Sequence, residues 1–272
     1  RWLDPLLRGE IRSAFAMTEP DVASSDATNI RCEIRRDGDD YVINGRKIGS
    51  GEPKGAMYGT LLARTDPDVP GREGISFFIF EANAPGVRFE PKPDLSGGLP
   101  FNHVVFEDVR IPRGNLVGGL NNGWALAQTT LDFERSSIGF VAHGMRLLDR
   151  VGARLVPGSD DVARARLAGL RTDLEAARWL AYRVPWLQEA GQRSGTEASI
   201  AKLYGSELLQ RVARSATEVL GPYGGLLHGS PREADGEAPQ AYLASLSATI
   251  GAGTSEIQRM LIAWRGLGLP RE

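Results

Sequence analysis

Cysteine is almost absent from this sequence. Among its 272 residues only Cys32 carries a thiol, so no intrachain disulfide can form and a cysteine-built zinc cluster is excluded. Histidine is nearly as scarce: His103, His143 and His228 are widely spaced and give a metal site little to draw on. No apolar run approaches the roughly 20 residues that cross a bilayer. The opening RWLDPLLRGE has no signal-peptide pattern. The expectation is a cytoplasmic protein with no membrane span. An excess of one charge is missing too. Lys plus Arg number 32 and Asp plus Glu 34, a net charge of −2, which excludes a basic nucleic-acid surface as the main business of the chain. Also absent are a G-x-S-x-G elbow, a Walker loop and an H-E-x-x-H pair.

What is present divides into two textures. Residues 13 to about 115 read as β structure. Asp37-Gly38 lies between two extended runs and predicts a hairpin, and Asn44-Gly45 predicts a second tight turn. Short apolar runs come next at Thr60–Ala63, Ile75–Phe80 and His103–Phe106, separated by Gly, Pro and Asp clusters, and Pro112 ends the last strand. GGLNNG (118–123) reads as a domain-linking loop. From Gly123 the period becomes helical. One long helix carrying Leu131, Ile138, Ala142 and Met145 on one face is predicted to run until Pro157. A second is capped by Ser159 or Asp160, carries the stripe Leu170, Leu174, Ala177, Ala181 and Val184, and is kinked or ended by Pro185. A third covers about 196–220. A fourth begins after GAGTS and ends near Gly266, with Ser255 and Gln258 at capping-box spacing. Residues 227–239 read as a polar loop. The fold class is therefore α+β: an antiparallel β-barrel or sandwich over 13–118, then a C-terminal four-helix bundle over 119–272.

Three constellations could carry chemistry. In FAMTEPDVASSD (15–26), Thr18 and Ser24 bracket a proline bend whose hydroxyls and N–H groups could bond a heterocycle and a phosphate; a capped strand-turn-strand is the plainer reading of that spacing. In LDFERS (131–136), Asp132 and Arg135 share a helical face while Glu134 points to a neighbouring one. A buried carboxylate there could act as a base; a solvated salt-bridged helix is the alternative. In IGAGTSEIQR (250–259), two glycines allow close backbone approach just before a helix start; a flexible interhelical turn fits equally well.

These three segments, in one order with GDDYVINGRK, FEDVRIPRGNLVG and VLGPYG, resemble the acyl-CoA dehydrogenase family over essentially the whole chain. The most specific stretch is YLASLSATIGAGTSEIQRMLIAWRGLGLP (242–270). The resemblance implies a β middle domain and a C-terminal helical bundle, with residues 1–12 the tail of an N-terminal helical domain otherwise missing from this chain. It implies FAD as cofactor and removal of two hydrogens from an acyl-CoA substrate: a carboxylate takes the α-proton and the β-hydride goes to flavin N5.

By the same resemblance, many members place the base just before the Gly-Thr of the last motif, where this chain has Ala252. A branch of the family instead places it before an Arg on the long helix, where this chain has Glu134 before Arg135. Glu134 is thus the implied base, the Ala252 backbone N–H an implied donor to the thioester carbonyl, and Ser24, Asp132 and Arg135 implied contacts of the CoA ester. FAD contacts are implied for Phe15, Met17, Thr18, Ser24, Thr254 and Glu256, and for Glu218 and Gly221 toward FAD of a neighbouring subunit. A dimer or tetramer is implied, homomeric or with a related subunit, and an electron-transfer flavoprotein as acceptor. The chain departs from the family in three places: no aromatic comes after Lys47 in IGSG, no Arg-x-x-Phe-Gly comes after the long helix, and Glu218 replaces the usual Gln. These departures carry the alternative expectation, a half-site subunit completing the FAD/CoA site of an active partner.

Overall fold

The computed structural model describes residues 1–50, 56–134, 137–155, 161–227 and 236–270, without the side chains of residues 24, 25, 27, 50, 56 and 132–134. Two compact units divide at Thr130/Leu131.

The first unit opens with helix α1 (Leu3–Leu7) and strand β1 (Arg12–Ala16). Strands β2 (Glu33–Asp37) and β3 (Asp40–Ser50) form the hairpin expected at Asp-Gly, with Asp37 opposite Asp40. Next come β4 (Ala56–Arg64), β5 (Ile75–Glu81), β6 (Val87–Lys92), β7 (Phe101–Pro112) and β8 (Leu116–Val117). The sheet order is β6-β7-β3-β2-β4-β5-β8, with β1 added on β4. Most neighbours are antiparallel, but β1 and β2 each pair β4 in parallel. Asn44-Gly45 is not a turn. β3 runs straight through it, and the register against β7 shifts between Ile43 and Gly45. The extra residue is absorbed as a bulge, with the Asn44 amide donating to Asp108 at 2.9 Å. Strand β6 was not expected from the sequence, because Pro91 breaks its pattern; an edge strand tolerates that proline.

Both faces of β5 are buried. Phe78 and Phe80 enter a core with Ile34, Tyr41, Ile43, Leu61, Phe106 and Ile111. Ile75 and Phe77 pack on the other side with Ile30, Leu62 and Ala127. Ala127 belongs to helix α2 (Gly123–Glu134), whose entry is fixed closely. The Ser76 hydroxyl accepts the Asn121 N–H at 2.7 Å, and Thr65 Oγ1 donates to Asn121 Oδ1 at 2.7 Å. A Cβ on Gly123 would stand 2.4 Å from the Ser76 carbonyl carbon.

The second unit is built from α3 (Ile138–Gly152), α4 (Asp161–Glu189), α5 (Gly195–Val219), α6 (Glu237–Ala248) and α7 (Ser255–Leu261), the last continued by a π-helical turn to Gly266. The long helix expected from Gly123 to Pro157 is interrupted. Ser137 has φ +60, left-handed backbone that no α-helix continues through. The buried face of α3 is accordingly Val141, Gly144, Leu147, Leu148 and Val151, with Ile138 and Met145 at its margin. The α4 stripe holds as expected: Leu170, Leu174, Ala177, Ala181 and Val184 are all buried. Pro185 does not stop α4, since Val184 and Leu187 keep the stripe in the core. Helix α6 takes residues 237–239 from the expected polar loop. Cores of α3, α4, α5 and α6 merge around Leu147, Leu174, Leu208 and Val212. Trp179, Tyr182 and Trp186 lie exposed along α4.

Candidate functional site

The segment after β1 is held from behind by a buried ion pair. Phe15 and Met17 are half-buried against Ile30, Leu62 and Phe77. The Thr18 carbonyl accepts the Ile48 N–H at 2.8 Å. Beneath it, Lys47 Nζ donates to Glu19 Oε1 at 2.7 Å and to the Met17 carbonyl at 3.1 Å. Glu19 also accepts the Arg31 N–H on Oε2 at 2.7 Å and the Cys32 N–H on Oε1 at 2.9 Å. Two ions removed from water are tolerable when they are paired and well hydrogen-bonded: Glu19 accepts three hydrogen bonds and Lys47 donates two. Burial, reinforced by Glu19 and Glu33 and opposed by Lys47, pushes the Cys32 thiol up to about 11. The half-buried Thr18 hydroxyl has no partner among the described residues and is free for a ligand.

Ser24 begins a short 3-10 stretch, Ser24–Asn29, but its side chain lies outside the described residues. Arg64 fastens this stretch and the loop after β4: its guanidinium donates to the carbonyls of Ile30 and Thr28 at 2.8 Å and of Val69 and Gly71 at 3.0 Å. A cleft of about 460 Å³ opens there, lined in part by Asp21, Arg31, Arg64 and Pro70. Glu134 is the last residue of α2. The side chains of Asp132 and Glu134, and all of Arg135, lie outside the described residues.

In the helical unit, the turn between α6 and α7 is strained and anchored. Ala252 has φ +55, a left-handed conformation costly for a residue with a Cβ, and Gly253 comes next at φ +92. Lys202 Nζ, on α5, donates to the Gly253 carbonyl at 2.6 Å. Gln258 Nε2 donates to the carbonyls of Ala252 at 3.0 Å and Gly253 at 3.3 Å. Both side chains are buried. The N–H groups of Ala252, Gly253 and Thr254 have no acceptor among the described residues. Three successive free donors on such a turn suit a developing negative charge. The N-cap is Thr254, whose hydroxyl accepts the Ile257 N–H at 3.3 Å, rather than Ser255. Gln258, expected as the capping-box partner, instead turns under the loop. Glu256 is held below the usual carboxylate range by its own backbone N–H and the Thr254 hydroxyl. It is therefore a fixed anion at neutral pH.

Gly221 ends α5 at φ +56. Glu218, one turn earlier, is bonded within the chain by Arg166 at 2.6 Å and Arg214 at 3.1 Å. No role was expected of Glu19, Lys47 or Lys202 from the sequence. For Lys202 the available signal was a charge on the helix face that carries Ala198, Ala201 and Leu208. Among the described residues no group of His, Cys, Asp and Glu could hold a metal, and no helix is long and apolar enough to cross a membrane.

Comparison with known proteins agrees with this architecture. Residues 14–109 match the acyl-CoA dehydrogenase middle domain, and residues 121–267 match the acyl-CoA dehydrogenase C-terminal domain. The chain is 34% identical to acyl-CoA dehydrogenase FadE29 of Mycobacterium tuberculosis, over 100% of this chain and 71% of that protein. Among solved structures it resembles the Tcur3481-Tcur3483 steroid ACAD, with a TM-score of 0.91 and 33% identity over 100% of this chain and 71% of the other. The ChsE4-ChsE5 complex of M. tuberculosis gives a TM-score of 0.82 and 30% identity over 100% of this chain and 72% of the other. On these matches, together with the fold, the chain belongs to the acyl-CoA dehydrogenase family.

Proposed function

We propose that this chain is an FAD-dependent acyl-CoA dehydrogenase of the cytoplasm. It oxidises the α,β bond of an acyl-CoA thioester, with Glu134 as base. The observation that carries the reading is the turn 252–254, with its three free N–H donors on a backbone pulled inward by Lys202 and Gln258. Removing a proton beside a carbonyl throws negative charge onto its oxygen, and prealigned donors are what such a site needs. The Ala252 N–H supplies that donor although its side chain cannot accept a proton. The Glu134 carboxylate takes the Cα proton, and the electrons of that bond form the Cα–Cβ double bond. Asp132 and Arg135 orient the CoA ester.

The donor set also fits a flavin: a free, half-buried Thr18 hydroxyl stands on a segment whose neighbouring carbonyls are pinned by Ile48 and Lys47. Phe15, Met17, Thr18 and Ser24 would hold FAD, with Thr254 and Glu256, and Glu218 and Gly221 would reach FAD of a neighbouring subunit. Bound FAD supplies the acceptor for the β-hydride, and an electron-transfer flavoprotein would take the electrons onward. In a Glu134→Gln variant, KM should stay within a few-fold and kcat should fall by about 10²-fold or more. Unchanged turnover removes Glu134 from the mechanism.

A second reading, a half-site subunit of a heteromer, has its own support. Glu218 is already engaged by two arginines of its own chain, which leaves it less to offer a neighbour. A similar solved protein is named as a two-component complex. Flavin counted per chain in the purified oligomer separates the two: one supports the self-sufficient enzyme, one half the shared site.

A further inference from the structure

We propose that Lys202 and Gln258 are positioning residues that lock the donor turn in the orientation needed to polarise a thioester carbonyl; this rests on the function proposed above. A trans peptide points its C=O and N–H in opposite directions. With the Ala252 carbonyl drawn to Gln258 and the Gly253 carbonyl drawn to both Gln258 and Lys202, the N–H groups of Gly253 and Thr254 are turned away from those two side chains.

Without the anchors the peptide between Ala252 and Gly253 is free to turn over, because Gly253 accepts almost any φ. A flip would present the Ala252 carbonyl where the Gly253 N–H stood, next in sequence to the Ala252 donor. That carbonyl would repel the oxyanion. Two side chains from different helices oppose the flip, and both are placed where solvent cannot compete: Lys202 is 1% exposed and Gln258 0%.

Gln258 carries a further sign of this duty. Its Nε2 serves two carbonyls while its buried Oε1 has no partner among the described residues, and the Ser255 hydroxyl, three positions earlier, is likewise buried without one among them. A glutamine retained only for packing would be better replaced by an apolar side chain of its shape. Its donor end is the part in use.

The experiment is a spectrum of the flavin-loaded protein with an aryl-acryloyl-CoA chromophore bound. Hydrogen bonding to its carbonyl shifts the absorption band to the red and lowers the C=O stretching frequency in Raman difference spectra. Wild type should show the full shift. Lys202→Met and Gln258→Met, which keep volume and remove donors, should lose at least about half of it. Their kcat should fall about tenfold or more, with KM changed less than about threefold. Folded variants that keep the full shift and kcat overturn the proposal. Failure of both variants to fold assigns the two side chains to the scaffold and overturns it as well. Absence of any shift in wild type overturns instead the underlying assignment of the turn as the carbonyl site.

Discussion

Lys47 Nζ lies 2.7 Å from Glu19 Oε1, with the lysine side chain 0% and the glutamate 6% exposed. A charge pair so placed is valuable to the fold mainly because neither member can be removed alone. Glu19→Gln or Lys47→Met should each cost about 3–5 kcal/mol by leaving an uncompensated buried ion. The double variant should cost clearly less than the sum. Urea midpoints across the four proteins measure the coupling, and strict additivity would refute it.

Gly123→Ala should destabilise the sheet unit by about 1–3 kcal/mol or more, because its Cβ would meet the backbone of Ser76 and Phe77, which cannot swing aside. Gly169→Ala is the contrasting control. It lies within α4 and its Cβ would meet open space, so it should be neutral or gain up to about 1 kcal/mol. Thermal midpoints that moved together would contradict both placements.

Cys32 should ignore a disulfide-exchange reagent at pH 8 in the folded protein and react as one thiol per chain once unfolded. Its thiol is buried, and its pKa of about 11 keeps the thiolate scarce. Rapid labelling without denaturant is the contrary result.

Burial, with help from Arg146 and against Glu237, holds His143 below its ordinary imidazole value. The unfolded chain therefore takes up a proton below about pH 6.5 before the folded chain does. Stability from this group is present above that pH and is lost as pH falls toward the folded value. The side chain is half exposed, so the loss should be well under about 1 kcal/mol. His143→Gln should flatten the corresponding part of a urea-midpoint profile between pH 7.5 and 5.5.

The elements legible in the sequence were those whose pattern answers to one force. Leu170 to Val184 repeat with the helical period because one face meets a core, and the Asp37-Gly38 hairpin needs only local geometry. What was hidden depended on partners distant in the chain. Asn44-Gly45 carries turn residues, yet Asp108 of another strand turns it into a bulge. Pro185 is a helix breaker locally, but apolar burial on either side carries the helix through. The candidate site divides the same way. FAMTEP and GAGTS announce themselves by composition, while Lys47 and Lys202 read as ordinary charges until the fold brings them under carbonyls 30 and 51 positions away.

The fastening of Asn121 to Ser76 and Thr65 bears on how this protein can be cut. GGLNNG has the composition of a slack tether, and a splice made there would look harmless. In fact it is a clasp: severing or lengthening it would strip two hydroxyl partners from the sheet and cast loose Ala127, which plugs the Phe77 side of the core. A stand-alone fragment of the sheet must therefore keep the opening turns of α2, through Thr130.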